Sequence, residues 1–184
     1  MKKIILTLLF ACLSIASYAQ TEHLKFKGIP INGPIEEFEK QLLKEGFSRN
    51  AKGEIVGKFA GSDNAYIIGV TNNDGIVYRV AVVYFLNEWK LLENRYSSLK
   101  SMLTNKYGTP QINDEEFKGF ERTSDLDKLI ALKAGDCNYL AAYKLDNGSI
   151  WLTLQDLSFK SAVVLMYEDD INAAQHQQQA IDDL

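Results

Sequence analysis

Residues 65–85 read AYIIGVTNNDGIVYRVAVVYF, two runs rich in β-branched and aromatic side chains around Asn72-Asn73-Asp74-Gly75. Asn, Asp and Gly tolerate the positive φ of tight turns, so the stretch predicts a hairpin of strands over 65–71 and 76–85. Along the second strand Ile76, Tyr78, Val80, Val82 and Tyr84 point one way, while Val77, Arg79, Ala81, Val83 and Phe85 point the other. Both sets are apolar. A strand covered by helices on one side only should alternate apolar with polar, so this one predicts a sheet whose second face also meets apolar material.

A second hairpin turns on Asp146-Asn147-Gly148, joining 138–145 to 149–155, and a further strand is expected over 161–167. Here Ile150, Leu152 and Leu154 share one face, and Ser149, Trp151, Thr153 and Gln155 the other. A two-residue turn places Lys144 opposite Trp151. An indole beside Thr, Gln and Lys suits recognition of a protein or a sugar, or else lies under a loop or the tail.

The clearest helix follows Asn87, where Trp89, Leu92, Tyr96, Leu99, Leu103 and Tyr107 recur at steps of three and four. Gly108 stops it and Pro110 prevents its resumption. A shorter helix begins at Pro34, turns Ile35, Phe38 and Leu42 inward and ends at Gly46. Segment 124–134 reads as a helix with Leu126, Leu129 and Ile130 on its inner face and Gly135 as its cap, or as a strand. Side by side, the two halves predict an α+β fold. Two αβββ-like units would form an antiparallel sheet with helices on one face.

The chain opens Met1-Lys2-Lys3, runs apolar over 4–15 and reaches Ser17 and Ala19, the pattern of a secretory signal peptide. Cleavage after Ala19 is expected, placing the product in the periplasm or outside the cell. Leu9-Phe10-Ala11-Cys12 loosely imitates a lipoprotein box, but Phe10 is bulky and the residues after Cys12 stay apolar. The apolar run falls short of the ~20 residues of a membrane span, and no second run follows. One domain is expected over 20–168, followed by a polar tail over 169–184 that forms a frayed helix capped by Asp169 or Asp170.

Without Lys2 and Lys3 the chain keeps 18 basic against 24 acidic side chains, which disfavours nucleic acid and anionic membranes as partners. Cys137 is the only cysteine after the leader and is expected as a buried apolar residue at a strand start. His23 and His176 lie near opposite termini, so no Cys–His or Ser–His catalytic set is visible and no zinc site is expected. Neither phosphate-loop nor dinucleotide motif occurs, and no cofactor is expected. Asp114-Glu115-Glu116 and Glu168-Asp169-Asp170 read as solvated or capping clusters.

The pattern Trp89, Tyr96, Leu99, Leu103, Tyr107-Gly108-Thr109-Pro110 behind an export leader resembles uncharacterised small secreted proteins of Bacteroidetes. In architecture the chain is similar to the β-lactamase inhibitor protein and the outer-membrane assembly lipoprotein type of α+β unit. That resemblance implies helix-plus-antiparallel-strand units and assigns no site residue. Two functions stay open. One is a non-catalytic module that binds a protein or glycan through an aromatic-bearing sheet face, with Tyr78, Tyr84, Trp151, Thr153 and Gln155 as candidate contacts. The other is a hydrolase acting on a glycan or peptide through two facing carboxylates.

Overall fold

The computed structural model describes residues 22–119 and 121–184, so the leader read at 1–19, with Cys12 and the junction after Ala19, lies outside the described residues. Strands β1 (Lys25–Phe26) and β2 (Ile29–Pro30) pair as a small hairpin, followed by helix α1 (Ile35–Lys44). Next come β3 (Ser48–Arg49), β4 (Ile55–Phe59), β5 (Ser62–Thr71) and β6 (Val77–Phe85). Helix α2 (Trp89–Tyr107), β7 (Ile112–Phe117) and helix α3 (Asp125–Ala134) lead into β8 (Cys137–Leu145), β9 (Gly148–Leu157) and β10 (Lys160–Asp169). Helix α4 (Asp170–Asp182) ends the fold.

Strands β3 to β10 form one antiparallel sheet in the order β3-β4-β5-β6-β10-β9-β8-β7. Each half is a meander, and the halves join last strand to last strand, with Val82 opposite Leu165 and Val83 opposite Val164. The α+β class is therefore as the sequence predicts, but each unit carries a fourth, outer strand. On one side this is the two-residue β3; on the other it is β7, whose Ile-Asn-Asp-Glu-Glu-Phe sequence has no apolar alternation. The acidic run read as a solvated or capping cluster is thus an edge strand, where its charge blunts edge-to-edge pairing.

Helices α1, α2 and α3 share one face of the sheet. Phe38 and Leu42 of α1, five residues of α2 from Trp89 to Leu103, and Leu132 of α3 pack with Ile67, Val80, Val82, Ile150, Leu152, Leu154 and Leu165. Each such side chain, fully buried, contributes about 1.5–3 kcal/mol. Segment 124–134 is a helix, with Ser124 Oγ accepting from the Asp127 N–H at 3.1 Å and Gly135 closing it in the left-handed conformation. Its inner face keeps the expected Leu129 against the core but otherwise differs. Lys128 lies over the Trp89 ring and Ala131 and Leu132 are buried, which turns Leu126 and Ile130 outward to solvent.

The chain ends are fastened together. Asp169 caps α4 by accepting from the Asn172 N–H at 2.9 Å, and its other oxygen accepts from the Leu24 N–H at 2.7 Å. His23 Nδ1 lies 3.1 Å from the same carboxylate, and its Nε2 lies 3.0 Å from the Asn32 amide nitrogen, placing Nδ1 to donate to Asp169 and Nε2 to accept from Asn32. Asn172, itself buried, donates to the Ile31 and Val77 carbonyls. The segment after 169 is thus a docked helix, held by Asp169 as the sequence suggested.

Candidate binding face

Register decides which side chains stand opposite the helices. On β9, Leu152 and Leu154 face the helix layer, so Trp151, Thr153 and Gln155 face away from it, half-buried among their strand neighbours. Trp151 lies level with Met166 on β10 and Ala142 on β8, and through them with Ala81, Ile68 and Ile112. Six strands thereby carry one apolar row. The next row holds Tyr66, Val83, Val164, Thr153, Leu140 and Asp114, with Val56 beyond Tyr66. Below the first row the series turns polar, with Arg79, Glu168, Ser149 and Lys144 beyond Val70.

No described helix covers these two rows. Val83, Ala162 and Val164 are buried there by Tyr66, Phe85 and Leu157, with the Tyr66 and Phe85 rings edge to face at 5.3 Å. Towards the ends of the first row, Ile68 is 48 % exposed and Ile112 40 %. Trp151 is fixed in place by its indole N–H, which donates to Ser149 Oγ at 2.7 Å. Arg79 Nε donates to Glu168 at 2.8 Å, and Lys144 pairs with Asp170, giving the apolar rows a charged lower border.

Two of the candidates read from the sequence lie elsewhere. Tyr84 is in the helix-side core, 3 % exposed, where its hydroxyl donates to the Phe59 carbonyl at 3.1 Å and the Arg95 guanidinium sits 4.0 Å above its ring. Burial raises its pKa above the ordinary tyrosine value. Tyr78 falls in a register shift between Val70–Arg79 and Thr71–Val77, so the strand alternation breaks and Val77 joins Val80 in the core. The Tyr78 ring stacks on His176 of α4 at 4.5 Å, beside a cleft of about 350 Å³ that Arg79, Glu168 and Asp170 also line. Neither tyrosine belongs to the bare face.

Lys144 also shifts. The β8–β9 turn is Asp146-Asn147, with Leu145 paired to Gly148, so Lys144 lies opposite Ser149 and Ala142 opposite Trp151. Gly148 is needed there because a Cβ would run into the Glu168 carbonyl and approach Leu24 Cδ2 to 2.8 Å. Sequence reasoning missed the face residues Tyr66, Ile68 and Met166. The signal for the first two was the alternation of β5, where Ala65 and Ile67 are buried and Tyr66 and Ile68 are not.

The titratable groups lie at the margins of this face, with Asp114 ending the second row. Asp114 and Glu116 are exposed on the outer strand, and Glu115 pairs with Lys100 of α2. Asp169, fully buried, has its oxygens taken by the three nitrogen partners of the terminal clasp. Cys137 is half-buried against the core, and burial pushes its thiol up to about 11. Among the described residues no group of three or more His, Cys, Asp and Glu side chains is placed to hold a metal ion, and no helix is long and apolar enough to cross a membrane. Compared with known proteins, the chain matches no family model, no curated protein and no solved structure.

Proposed function

We propose that this protein is an exported, non-catalytic binding module whose contact surface is the sheet face turned away from its helices. The observation that carries this reading is the apolar row six strands wide through Trp151, with the largely apolar row beside it, both under no described helix. A half-buried indole fixed by its own strand and surrounded by aliphatic neighbours is the usual make-up of an interface anchor, and the charged lower border supplies a polar rim. Gln155 adds a hydrogen-bonding group on the same strand face, while the Thr153 hydroxyl oxygen is buried. Export rests on the leader pattern over 1–19, and mass spectrometry of the mature chain should find it beginning at Gln20.

A photocrosslinking amino acid at position 153, in cells expressing the protein at its native level, tests the reading. A discrete adduct is expected from that position and none from Ser101, exposed on the helix layer. Equal labelling from both positions, or none from 153, would contradict it.

A further inference from the structure

The two rows are arranged so that they complement themselves. The midline of the sheet lies between β6 and β10, where its two halves meet, and both rows cross it. A two-fold axis parallel to the strands and lying over that midline maps β6 onto β10, β5 onto β9 and β4 onto β8 of a facing copy, and keeps each row on its own level. In the first row Ile68 then meets Trp151 and Ala81 meets Met166, small against large. In the second, Tyr66 meets Thr153 and Val56 meets Leu140, on either side of a centre where Val83 and Val164 are already buried by their own chain.

The lower border is complementary in charge. Arg79 and Glu168 stand directly opposite each other on β6 and β10, one on each side of the centre, with side chains 33 % and 21 % exposed. The same rotation sets Arg79 of each copy against Glu168 of the other, turning one ion pair into a closed ring of four charges. The area lies at the low end for a specific interface. With strands about 4.8 Å apart and levels about 6.6 Å apart, six strands by three levels cover about 600 Å² per copy, against about 600–1,000 Å² per partner in specific interfaces. Sheets packed face to face interdigitate in the way these rows allow.

We infer that the bare face is closed by a second copy of this chain, sheet against sheet about that axis, with Arg79 and Glu168 exchanging partners across it. This inference rests on the binding reading above and names its partner. Symmetry makes such an interface isologous, so every contact occurs twice.

Sedimentation equilibrium of the mature chain from 1 to 100 µM tests it. A dimer is expected for the wild type. Arg79→Glu and Glu168→Arg should each raise the dissociation constant about 100-fold, because like charges then face each other across the axis. Mixing the two variants should restore a dimer containing one of each, since the opposite charges meet again only between unlike copies. Ile68→Asp, at an exposed position with little folding role, should also give monomers, and circular dichroism should show all variants folded. A wild type that is monomeric at 100 µM, or single variants that dimerise as well as the wild type, would overturn the inference. So would failure of the mixture to pair. If the wild type is monomeric while position 153 still crosslinks to another protein, only the choice of partner fails; if neither occurs, the binding reading fails with it.

Discussion

Strand β9 has the same ladder of hydrogen bonds on both its edges, yet its two faces differ. Ile150, Leu152 and Leu154 are sealed beneath the helices, while Trp151, Thr153 and Gln155 keep part of their surface. The backbone is common to both sets, so the difference lies entirely in what packs above them. An apolar side chain on the helix side is held by the helices. On the other side only Val83, Ala162 and Val164 are sealed, by Tyr66, Phe85 and Leu157, and the rest keep part of their surface.

The largest test of this contrast is a pair of adjacent substitutions. Leu152→Ala empties a fully buried site and should cost about 2–5 kcal/mol in urea unfolding, whereas Thr153→Ala next to it should cost less than about 1 kcal/mol. Similar costs at both positions would mean that the second face is as well covered as the first. Next in size is Asp169→Ala, which strips the cap of α4 and the acceptor for the Leu24 N–H. A loss of about 2–4 kcal/mol is expected in thermal unfolding, since buried donors left unpaired cost about 1–3 kcal/mol each. A loss below about 1 kcal/mol would show that the terminal clasp is dispensable.

Phe159 gives a smaller and opposite effect. It is 91 % exposed at the β9–β10 turn with φ of 70°, a conformation that glycine adopts freely. Phe159→Gly should therefore leave stability unchanged or raise it by up to about 1 kcal/mol, and a clear loss would mean that the ring has contacts the fold does not show. Last is Cys137, on the helix side. With the thiol near 11, its burial stabilises the fold fully below pH 9, and that contribution is lost as pH rises through 11. At pH 8 its alkylation by iodoacetamide should be about 100-fold slower in the native than in the unfolded protein, because the thiolate is the reactive form.

Much of this contrast can be read from the sequence, and where it cannot the reasons are physical. The β9 alternation is legible because Thr153 and Gln155 are polar and Leu152 and Leu154 are not. Strand β6 offers no such guide: with both faces apolar, alternation alone cannot say which side holds Tyr84, and the irregularity at Val77 and Tyr78 depends on pairing with Thr71. Strand β7 escapes notice because acidic residues occupy both of its faces. The turn at Ser158-Phe159 has positive φ without a glycine to announce it. Helix α3 has apolar residues on more than one side, and only its packing on Trp89 selects Ala131 and Leu132. The clasp of His23 with Asp169 joins residues 146 positions apart, which no local pattern foretells.

The central claim is that the face bearing Trp151 is bare in the single chain and covered in the working protein. The chain has two tryptophans, and Trp89 is buried in the helix-side core, so the difference between wild type and Trp151→Phe isolates the signal of Trp151. Acrylamide quenching of that difference signal, followed from nanomolar to 100 µM protein, measures the covering directly. The expected result is ready quenching at high dilution and protection, with a blue shift, as copies associate. Protection that persists at every dilution would mean that the chain covers the face by itself, and the account would be wrong.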